Sequence, residues 1–292
     1  MASRRSGAAR RWGCGLLQAA DVTFGYGDTV VLRDVSLQAP AGAFVGLIGP
    51  NGSGKTTLLR LLAGTRRPQR GTVTLDGVPL AAMPRAEVAR RMAVVPQETQ
   101  LAFDYSVLEV VLMGRYPHLG AFEIEGPRDL QLAREALAAT GTRELEGREF
   151  NTLSGGEKQR VIIAAALAQI GSTASVGSFG SSASRTSMLL LDEPTAALDL
   201  KYQLETASLV RDLHARLGLT IVMSTHDLNF AAALCDRLVL LKQGRVVAAG
   251  PLDDVLTAAS VRALYDVEAD VARHPATGHL TVIPIRRTAA HG

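Results

Sequence analysis

A glycine-rich decapeptide places the strongest constraint on the fold of this chain. Residues 49–58 read GPNGSGKTTL, which fits the GxxxxGK[ST] spacing of a phosphate-binding loop, or P-loop. The apolar run Phe44–Ile48 before it predicts a buried strand, and residues 56–63 after it predict a helix. A strand, a glycine turn and a helix N-terminus together form a cradle for phosphate, so this segment predicts binding of a nucleoside triphosphate.

Each residue type in the P-loop suits a triphosphate. Its glycines let backbone N–H groups turn toward the β-phosphate, Lys55 reaches the β and γ oxygens, and the Thr56 hydroxyl ligates Mg²⁺. The alternative is a glycine-rich turn that only caps a helix, and the flanking strand and helix argue against it. The nucleotide-binding residues predicted here are Gly49, Pro50, Asn51, Gly52, Ser53, Gly54, Lys55, Thr56 and Thr57.

Length and composition are those of an α/β protein with one sizeable domain. The 292 residues are 47% hydrophobic, which is enough for a core, and α/β folds reach this size undivided. The apolar runs, such as 161–168, stay far short of the roughly 20 residues that span a bilayer. Cys14 and Cys235 are the only cysteines and lie in different contexts, so neither a disulfide framework nor a metal cluster is predicted.

The excess positive charge is concentrated near the N-terminus. Four of the 31 Lys and Arg residues fall in the first 11 positions, which leaves 27 basic against 28 acidic side chains elsewhere. A nearly neutral body lacks the basic footprint of a nucleic-acid binder. The tail also lacks the apolar stretch of a secretory signal, which indicates a cytoplasmic protein; an organellar transit peptide is the alternative. The tail arginines are Arg4, Arg5, Arg10 and Arg11.

Periodicity along the chain predicts two kinds of sheet. Residues 16–37 alternate around a glycine turn, and 72–80 predict a hairpin around Asp76 and Gly77, so an antiparallel sheet is expected here. Apolar runs that alternate with helical stretches predict a parallel core sheet with crossover helices. These runs are 44–48, 92–95, 188–191 and 219–224.

Helical patterns occupy much of the remaining chain. Residues 97–153 are mostly helical in pattern, whereas 171–187 are dominated by Gly, Ser, Thr and Ala and predict a flexible surface insertion. A hairpin is expected over 278–285. A helix that ends at Gly218 and packs one face on the sheet is predicted from the spacing of Leu200, Leu204, Ala207, Val210, Leu213 and Leu217.

Two further segments point to a family. Residues 153–160 read LSGGEKQR, and residues 188–195 read MLLLDEPT. Together with 49–58 they resemble the nucleotide-binding subunit of ATP-binding cassette (ABC) transporters, whose signature is LSGGQ; here Glu157 takes the place of the glutamine. The resemblance covers about residues 17–251 and rests on six motifs in the order of the family.

The resemblance implies an α/β fold, the core of a P-loop NTPase (ABC ATPase) with a mixed sheet, an antiparallel β subdomain and an inserted helical subdomain. The ABC ATPase domain is expected over 17–251, with the helical subdomain at about 98–165 and the flexible Gly/Ser insertion at 171–187. Residues 1–16 are expected to form a disordered basic tail and 252–292 a C-terminal extension. The family usually joins its signature helix to the next strand by a few residues, so the insertion departs from its pattern.

The same resemblance assigns the chemistry of ATP hydrolysis. Asp192, at the end of an apolar run, is expected to hold Mg²⁺ through water, and Glu193 to act as the general base that activates the attacking water. Gln97 matches the Q-loop glutamine, which reaches Mg²⁺ and the water, and His226 matches the switch histidine, which contacts the γ-phosphate. Tyr26 lies where an aromatic ring stacks on adenine; an ordinary strand aromatic is the alternative.

Other family motifs imply a site shared by two subunits. The signature lies too far along the chain to join its own P-loop in this family, and Asp199 crosses the same interface. The resemblance therefore implies a head-to-tail dimer of two copies, with two ATP molecules between P-loop and signature, and a monomer that hydrolyses poorly. The signature residues predicted to contact ATP are Ser154, Gly155, Gly156 and Glu157.

The substrate class rests on two short segments. Residues 111–118 (VLMGRYPH) and 265–267 (YDV) look like those of the subfamily that imports iron siderophores, haem or cobalamin, and they are expected where the membrane partner docks. The implied partners are transmembrane permease subunits and, indirectly, a periplasmic or surface substrate-binding protein. The protein would then lie on the inner face of the plasma membrane, and no nucleic-acid partner is expected.

Other classes of ABC ATPase are alternatives to the predicted importer subunit. A DNA-repair or chromosome-organising ATPase would carry a long coiled coil or zinc-binding cysteines between its motifs, and neither occurs. A translation-factor ATPase would carry two cassettes, whereas this chain has one P-loop and one signature. A regulatory module without hydrolysis is disfavoured by Glu193, and an ABC ATPase for another transported substrate stays open. Stimulation of ATP hydrolysis by a membrane partner, rather than by DNA or ribosomes, separates these classes.

Overall fold

The structure is a computed structural model that describes residues 16–171, 187–196 and 198–287. Two predicted segments lie almost entirely outside these ranges. Of the tail 1–16 only Leu16 is described, and of the insertion 171–187 only the first and last residues are described. Over the described residues the strands form three sheets, of four, six and two strands. In chain order they are β1 (Leu17–Tyr26), β2 (Thr29–Ala39), β3 (Phe44–Ile48), β4 (Arg70–Leu75), β5 (Val78–Pro79), β6 (Met92–Val95), β7 (Met188–Asp192), β8 (Thr220–Thr225), β9 (Arg237–Lys242), β10 (Arg245–Pro251), β11 (Val267–Arg273) and β12 (Leu280–Arg287).

Helices connect the strands and build the region between β6 and β7. No helix in the described ranges combines the length and apolar character needed to cross a bilayer. Short 3₁₀ turns occur at Leu80–Ala82, Tyr116–His118, Arg143–Leu145 and Phe150–Thr152. The α-helices are α1 (Lys55–Leu62), α2 (Arg85–Arg91), α3 (Val107–Met113), α4 (Pro127–Ala139), α5 (Gly155–Ile170), α6 (Leu200–Leu217), α7 (Leu228–Leu234), α8 (Leu252–Val255) and α9 (Ala258–Tyr265).

The six-stranded central sheet runs in the order β10-β9-β3-β8-β7-β6. Strands β3, β6, β7 and β8 are parallel, which confirms the prediction from the apolar runs. Strand β9, which that prediction omitted, is also parallel to β3, and β10 returns antiparallel, so the sheet is mixed. Parallel strands place their carboxyl ends at one edge, and the residues that follow β3, β7 and β8 therefore come together there.

Strand alternation lets β3 contribute to two hydrophobic cores. Val45 and Leu47 belong to the core that contains α1 and the antiparallel sheet β2-β1-β4-β5, whereas Phe44 and Ile48 belong to the other. This division follows because successive side chains of a strand point to opposite faces. Helix α1, all four of whose leucines are buried, is therefore held between two sheets.

Part of segment 111–118 is packed inside the helical subdomain. A Cβ atom at Gly114 would lie 2.3 Å from the Ala165 carbonyl oxygen, so α3 and α5 approach at a glycine. The buried Arg115 donates to Asp129 Oδ1 at 2.9 Å and to the carbonyl of residue 168 at 2.7 Å. Only Tyr116 of this segment is exposed. Val111, Gly114 and Arg115 are buried and tie α3 to α4 and α5, and contact of the segment with the membrane partner stays a prediction.

Helix α6 follows its predicted pattern only in part. It ends at Gly218 in the left-handed conformation, with φ of 61°, and it buries Val210 and Leu213. Leu200 and Leu204 are 71% and 63% exposed, which contradicts the prediction that the whole apolar stripe packs on the sheet. The buried residues of α6 lie between Thr206 and Leu213, so the first turn of the helix is not part of the packed face.

The C-terminal extension has no separate core in the described part of the chain. Val255, Leu264 and Val282 belong to the same cluster as the central sheet. Strands β11 and β12 pair from Val267 with Arg287 to Arg273 with Leu280, so the predicted hairpin 278–285 covers only its turn and second strand. The first strand escaped prediction because Ala, Asp and Glu, which are uncommon in strands, make up four of its seven residues.

Candidate nucleotide site

The P-loop joins β3 to α1 at the carboxyl edge of the central sheet. Gly49 leaves no room for a side chain, because a Cβ atom there would lie 2.2 Å from the Leu241 carbonyl oxygen. Gly54 precedes α1 with φ of 103°, in the left-handed region that favours glycine, and its Cβ would lie 2.7 Å from Leu32 Cδ2. Both positions therefore require glycine for the loop to turn into the helix.

The start of α1 offers polar groups to an anion. No side chain caps this helix at Gly54, so its first N–H groups have no side-chain acceptor. Ser53 Oγ is buried and has no hydrogen-bond partner among the described residues. Asn51 and Gly52, at the tip of the loop, are exposed. Because N–H groups at a helix start attract phosphate, an oxygen-rich anion here would satisfy both the helix and Ser53.

Lys55 is a buried cation, only 5% exposed. Its Nζ donates to the carbonyl oxygens of Gly49 at 2.9 Å and Pro50 at 3.3 Å, and it lies 3.2 Å from Glu193 Oε1. A buried ammonium group needs such partners because its removal from water is costly. These contacts hold the amine between the P-loop and Glu193.

A carboxylate with two hydroxyl donors lies beside this lysine. Thr56 Oγ1 donates to Asp192 Oδ1 at 3.1 Å, and Ser224 Oγ donates to the same oxygen at 2.7 Å. Asp192 ends β7, and Ser224 is its partner in the parallel register with β8. Ser224 is a site residue that the sequence analysis missed. Its only signal in the sequence is its place two residues before the predicted switch histidine.

Glu193 has a strained backbone and a bridging side chain. Its φ of 44° lies in the left-handed region, which costs a residue other than glycine about 1 to 3 kcal/mol. Ser224 holds this conformation, since Glu193 N–H donates to its Oγ at 3.0 Å and to its carbonyl oxygen at 3.1 Å. The carboxylate then lies between Lys55 and His226, whose Nδ1 is 3.2 Å from Glu193 Oε2.

His226 follows β8 directly, and 54% of its side chain is exposed. Asp227, the next residue, begins α7 by accepting hydrogen bonds from the N–H groups of Asn229 and Phe230. This short connection from strand to helix directs the imidazole toward Glu193. The structure thus brings together five predicted residues, named here the Lys55 cluster: Lys55, Thr56, Asp192, Glu193 and His226.

Gln97 is separate from the Lys55 cluster. It is exposed after β6 and lines a groove with Gly155 and Gln159 of α5. Within the described ranges, no hydrogen bond joins it to Thr56 or Asp192. A role at Mg²⁺ therefore requires its loop to move, and that role stays a prediction.

Tyr26 lies against α1 beside the P-loop. Its ring packs edge-on against Phe24, with centroids 5.1 Å apart, and its hydroxyl lies 3.5 Å from Arg60 Nη1. A hydrogen bond to the Thr57 side chain, together with Arg60, lowers the pKa of Tyr26. Tyr26 remains 41% exposed, which leaves ring surface for the predicted stacking on adenine.

Ser154 and Glu157 form the start of α5. The Ser154 hydroxyl accepts from the Glu157 N–H at 3.4 Å, while Glu157 Oε2 accepts from both the N–H and the hydroxyl of Ser154 at 2.8 Å. This reciprocal capping box satisfies two N–H groups at the helix start, and its hydrogen bonds lower the pKa of Glu157. Either glutamate or glutamine can occupy this position of a capping box. The structure therefore accounts for Glu157 in place of the glutamine of the LSGGQ signature.

The signature and Asp199 meet through one tyrosine. A Cβ atom at Gly156 would lie 2.5 Å from Tyr202 Cδ1, so the ring packs on the glycine. The Tyr202 N–H donates to Asp199 Oδ1 at 3.1 Å and thereby caps α6. Ser154, Gly155 and Asp199 are exposed, and none of them makes a hydrogen bond to the P-loop within the described ranges.

Sequence comparison identifies the class of protein. Residues 32–172 match the family model described as ABC transporter. The hemin import ATP-binding protein HmuV of Gloeobacter violaceus is 44% identical over 270 residues, which cover 92% of this chain and 94% of the relative. The cobalamin import ATP-binding protein BtuD of Halobacterium salinarum is 41% identical over 88% of this chain and 60% of its own length.

Solved structures agree with this result. An ABC transporter assigned to the metal-chelate type, in an inward-facing conformation, superposes with a TM-score of 0.78 at 29% identity, over 94% of this chain and 98% of that chain. The ATP-binding cassette MJ0796, a dimer bound to ADP and Pi after hydrolysis, gives 0.65 at 29% identity, over 81% and 98%. The fold is that of a nucleotide-binding ATPase. The chain belongs to the ABC transporter family.

Proposed function

We propose that the chain is the ATP-hydrolysing subunit of an ABC importer for an iron siderophore, haem or a cobalamin-type substrate. The observation that carries the proposal is the Lys55 cluster at the start of α1, which has the groups that ATP binding and hydrolysis need. Support for import comes from relatives named for hemin and cobalamin import and from the likeness to a metal-chelate type transporter.

Binding of ATP exchanges the partners of Lys55. The phosphates lie against the first N–H groups of α1 and against Ser53 Oγ, which has no other partner among the described residues. Lys55 Nζ, now 3.2 Å from Glu193 Oε1, moves its contact to the β and γ oxygens. Glu193 is thereby released from the ammonium group, so nucleotide binding itself makes the carboxylate available to water.

The oxygen atoms beside Lys55 fit Mg²⁺. The Thr56 hydroxyl and the Asp192 carboxylate, 3.1 Å apart, are hard oxygen donors of the kind that Mg²⁺ prefers. Magnesium in nucleotide sites uses one or two protein oxygens together with phosphates and water. We assign Thr56 as a direct ligand and Asp192 as a ligand through water, with Gln97 joining after its loop moves. When bound, the ion neutralises charge on the phosphates.

Glu193 is assigned as the general base and His226 as its neighbour at the γ-phosphate. Attack by water requires a group that takes up or orients the proton. Ser224 holds the left-handed backbone of Glu193, so the carboxylate direction is set before the nucleotide arrives. His226 Nδ1, 3.2 Å from Glu193 Oε2, steadies the other carboxylate oxygen.

A second copy of the chain completes the site. Ser154 and Gly155 are exposed at the start of the 16-residue helix α5, and Asp199 is exposed at the start of α6. A helix start attracts phosphate, so the signature of one copy closes over ATP in the P-loop of the other. The dimeric structure of the cassette MJ0796 supports this arrangement. An isolated monomer then hydrolyses ATP slowly.

Exposed apolar side chains of the helical subdomain provide a surface for the permease. Phe103, Tyr116, Phe122 and Ile124 are all more than half exposed there, and exposed apolar side chains of this size suit contact with a partner. We place the permease subunits on this surface, which holds the ATPase at the inner face of the plasma membrane. The substrate-binding protein acts through the permease without contact to this chain.

Reconstitution with the permease encoded by the neighbouring genes tests the proposal. Proteoliposomes that contain Mg·ATP should accumulate one of haem, ferric siderophore or cobalamin when the binding protein is supplied outside. Lys55→Ala should abolish both tight ATP binding and uptake because the triphosphate loses its charge-assisted contact. Arg216→Ala, a loss of charge at the exposed far end of α6, is the matched control. The importer assignment would be overturned if DNA or ribosomes stimulated the rate of ATP hydrolysis and the permease did not.

A further inference from the structure

Two contacts tie the C-terminal extension to the segment that carries His226. The Tyr265 hydroxyl, at the end of α9, donates to the His226 carbonyl oxygen at 3.1 Å. Asn229, three residues after His226, bonds twice to the backbone of Val282 in β12. Its Nδ2 donates to the Val282 carbonyl at 3.2 Å, and its Oδ1 accepts from the Val282 N–H at 2.7 Å. The extension therefore reaches this segment from both a helix and a strand.

Tyr265 is itself anchored to the central sheet. Lys242, the last residue of β9, donates to the Ala263 carbonyl at 2.8 Å and pairs with Asp266 Oδ2 at 2.8 Å. These two partners flank the tyrosine, and the neighbouring Leu264 is buried in the core shared with the sheet. The position of the hydroxyl is thus set by the ATPase fold rather than by a loose tail.

The Tyr265 hydroxyl remains a donor at neutral pH. Burial, with the carboxylates of Asp227 and Glu193 nearby, raises the pKa of Tyr265 to about 12. Because the phenol keeps its proton far above neutral pH, the hydrogen bond to the His226 carbonyl persists throughout the working range.

The imidazole of His226 needs support from its backbone. More than half of its side chain is exposed, and its Nδ1 contacts only Glu193 within the described residues, so packing of the ring does not hold it. Asp227 N–H donates to Thr225 Oγ1 at 3.1 Å, which orients the peptide after His226 from one side. Tyr265 orients the carbonyl of the same peptide from the other side.

We propose that the C-terminal extension positions His226 against Glu193 through the Tyr265 hydroxyl. This inference rests on the proposed function, which assigns His226 to ATP hydrolysis. Tyr265 is a positioning residue, because its hydroxyl contacts the backbone of His226 and not the nucleotide. The extension consequently affects turnover and leaves ATP binding to the P-loop.

Tyr265→Phe in the full-length chain tests this role by removal of one oxygen atom. The kcat for ATP hydrolysis should fall about 3- to 10-fold, the loss expected for one hydrogen bond. The KM for ATP should change by less than about twofold, because binding contacts are untouched. Tyr105→Phe is the matched control, since the Tyr105 hydroxyl makes no hydrogen bond within the described residues, and it should keep the wild-type kcat. Thermal unfolding of both variants confirms that the assays compare folded protein.

His226→Ala separates this inference from the proposed function. In that background Tyr265→Phe should cause no further loss of kcat, because the group that it positions is gone. The positioning role would be overturned if Tyr265→Phe alone had the wild-type kcat, or if it caused the same loss of kcat with and without His226→Ala. Either result would leave the proposed role of His226 in hydrolysis unaffected. A wild-type kcat in His226→Ala would overturn the role of His226 itself, and the inference with it.

Discussion

Replacement of Glu193 by glutamine tests the hydrolysis step directly. The carboxylate lies between two groups, with Oε1 3.2 Å from Lys55 Nζ and Oε2 3.2 Å from His226 Nδ1. Glutamine keeps the size of the side chain and its hydrogen bonding, but it no longer accepts a proton. We expect kcat to fall by about 10² to 10⁴, the usual loss for a general base, which corresponds to a barrier about 3 to 5 kcal/mol higher.

Binding of ATP should survive this change. The P-loop contacts are unaltered, and the loss of a negative charge beside the phosphates removes a repulsion. Uncleaved ATP should then persist between the P-loop of one copy and the signature of the other, so that Glu193→Gln accumulates as a dimer. Ser154→Arg in the same chain should prevent this dimer, because a long side chain replaces the hydroxyl at the start of α5.

Size-exclusion chromatography with ATP, beside a turnover assay in the same buffer, measures both effects. Glu144→Gln makes the same chemical change at an exposed position of the helical subdomain and should hydrolyse ATP at the wild-type rate. A Glu193→Gln protein that stays monomeric with ATP and hydrolyses it at the wild-type rate would contradict both the base assignment and the shared site.

Two other predictions concern the fold around the signature helix. Replacement of residues 172–186 by a short glycine linker should leave ATP hydrolysis largely intact. The two ends of the segment are already close, because Ser187 Oγ lies 3.5 Å from the carbonyl oxygen of Ile170, the last residue of α5. Loss of folding would show the segment to be structural. Gly156→Ala should destabilise the protein by about 1 to 3 kcal/mol in urea unfolding, since the new Cβ would lie 2.5 Å from the Tyr202 ring. Gly155→Ala, whose Cβ would have 3.4 Å of clearance, is the control, and equal midpoints for the two variants would refute the packing argument.

Elements with a strong local pattern were predicted well. The strand Phe44–Ile48 and the helix Lys55–Leu62 follow from an apolar run and a glycine turn that are read over a few residues. Predictions failed where packing partners decide the outcome. Leu200 continues an apolar helical stripe, yet it is exposed because the packed face of α6 begins only at Thr206. Nor does the sequence indicate that Arg115 is buried, since its burial depends on Asp129 and a helix carbonyl that accept its hydrogen bonds.

The sequence by itself determined the chemistry of the P-loop, because the spacing of its glycines, Lys55 and Thr56 is a local property of the chain. Tertiary structure alone decided which distant groups support that chemistry. Ser224 reaches Asp192 across 32 positions because β7 and β8 pair in one parallel register. Tyr265 reaches the His226 carbonyl across 39 positions because the C-terminal extension packs on the central sheet. No pattern of neighbouring residues encodes such contacts, since they depend on how the whole core is packed.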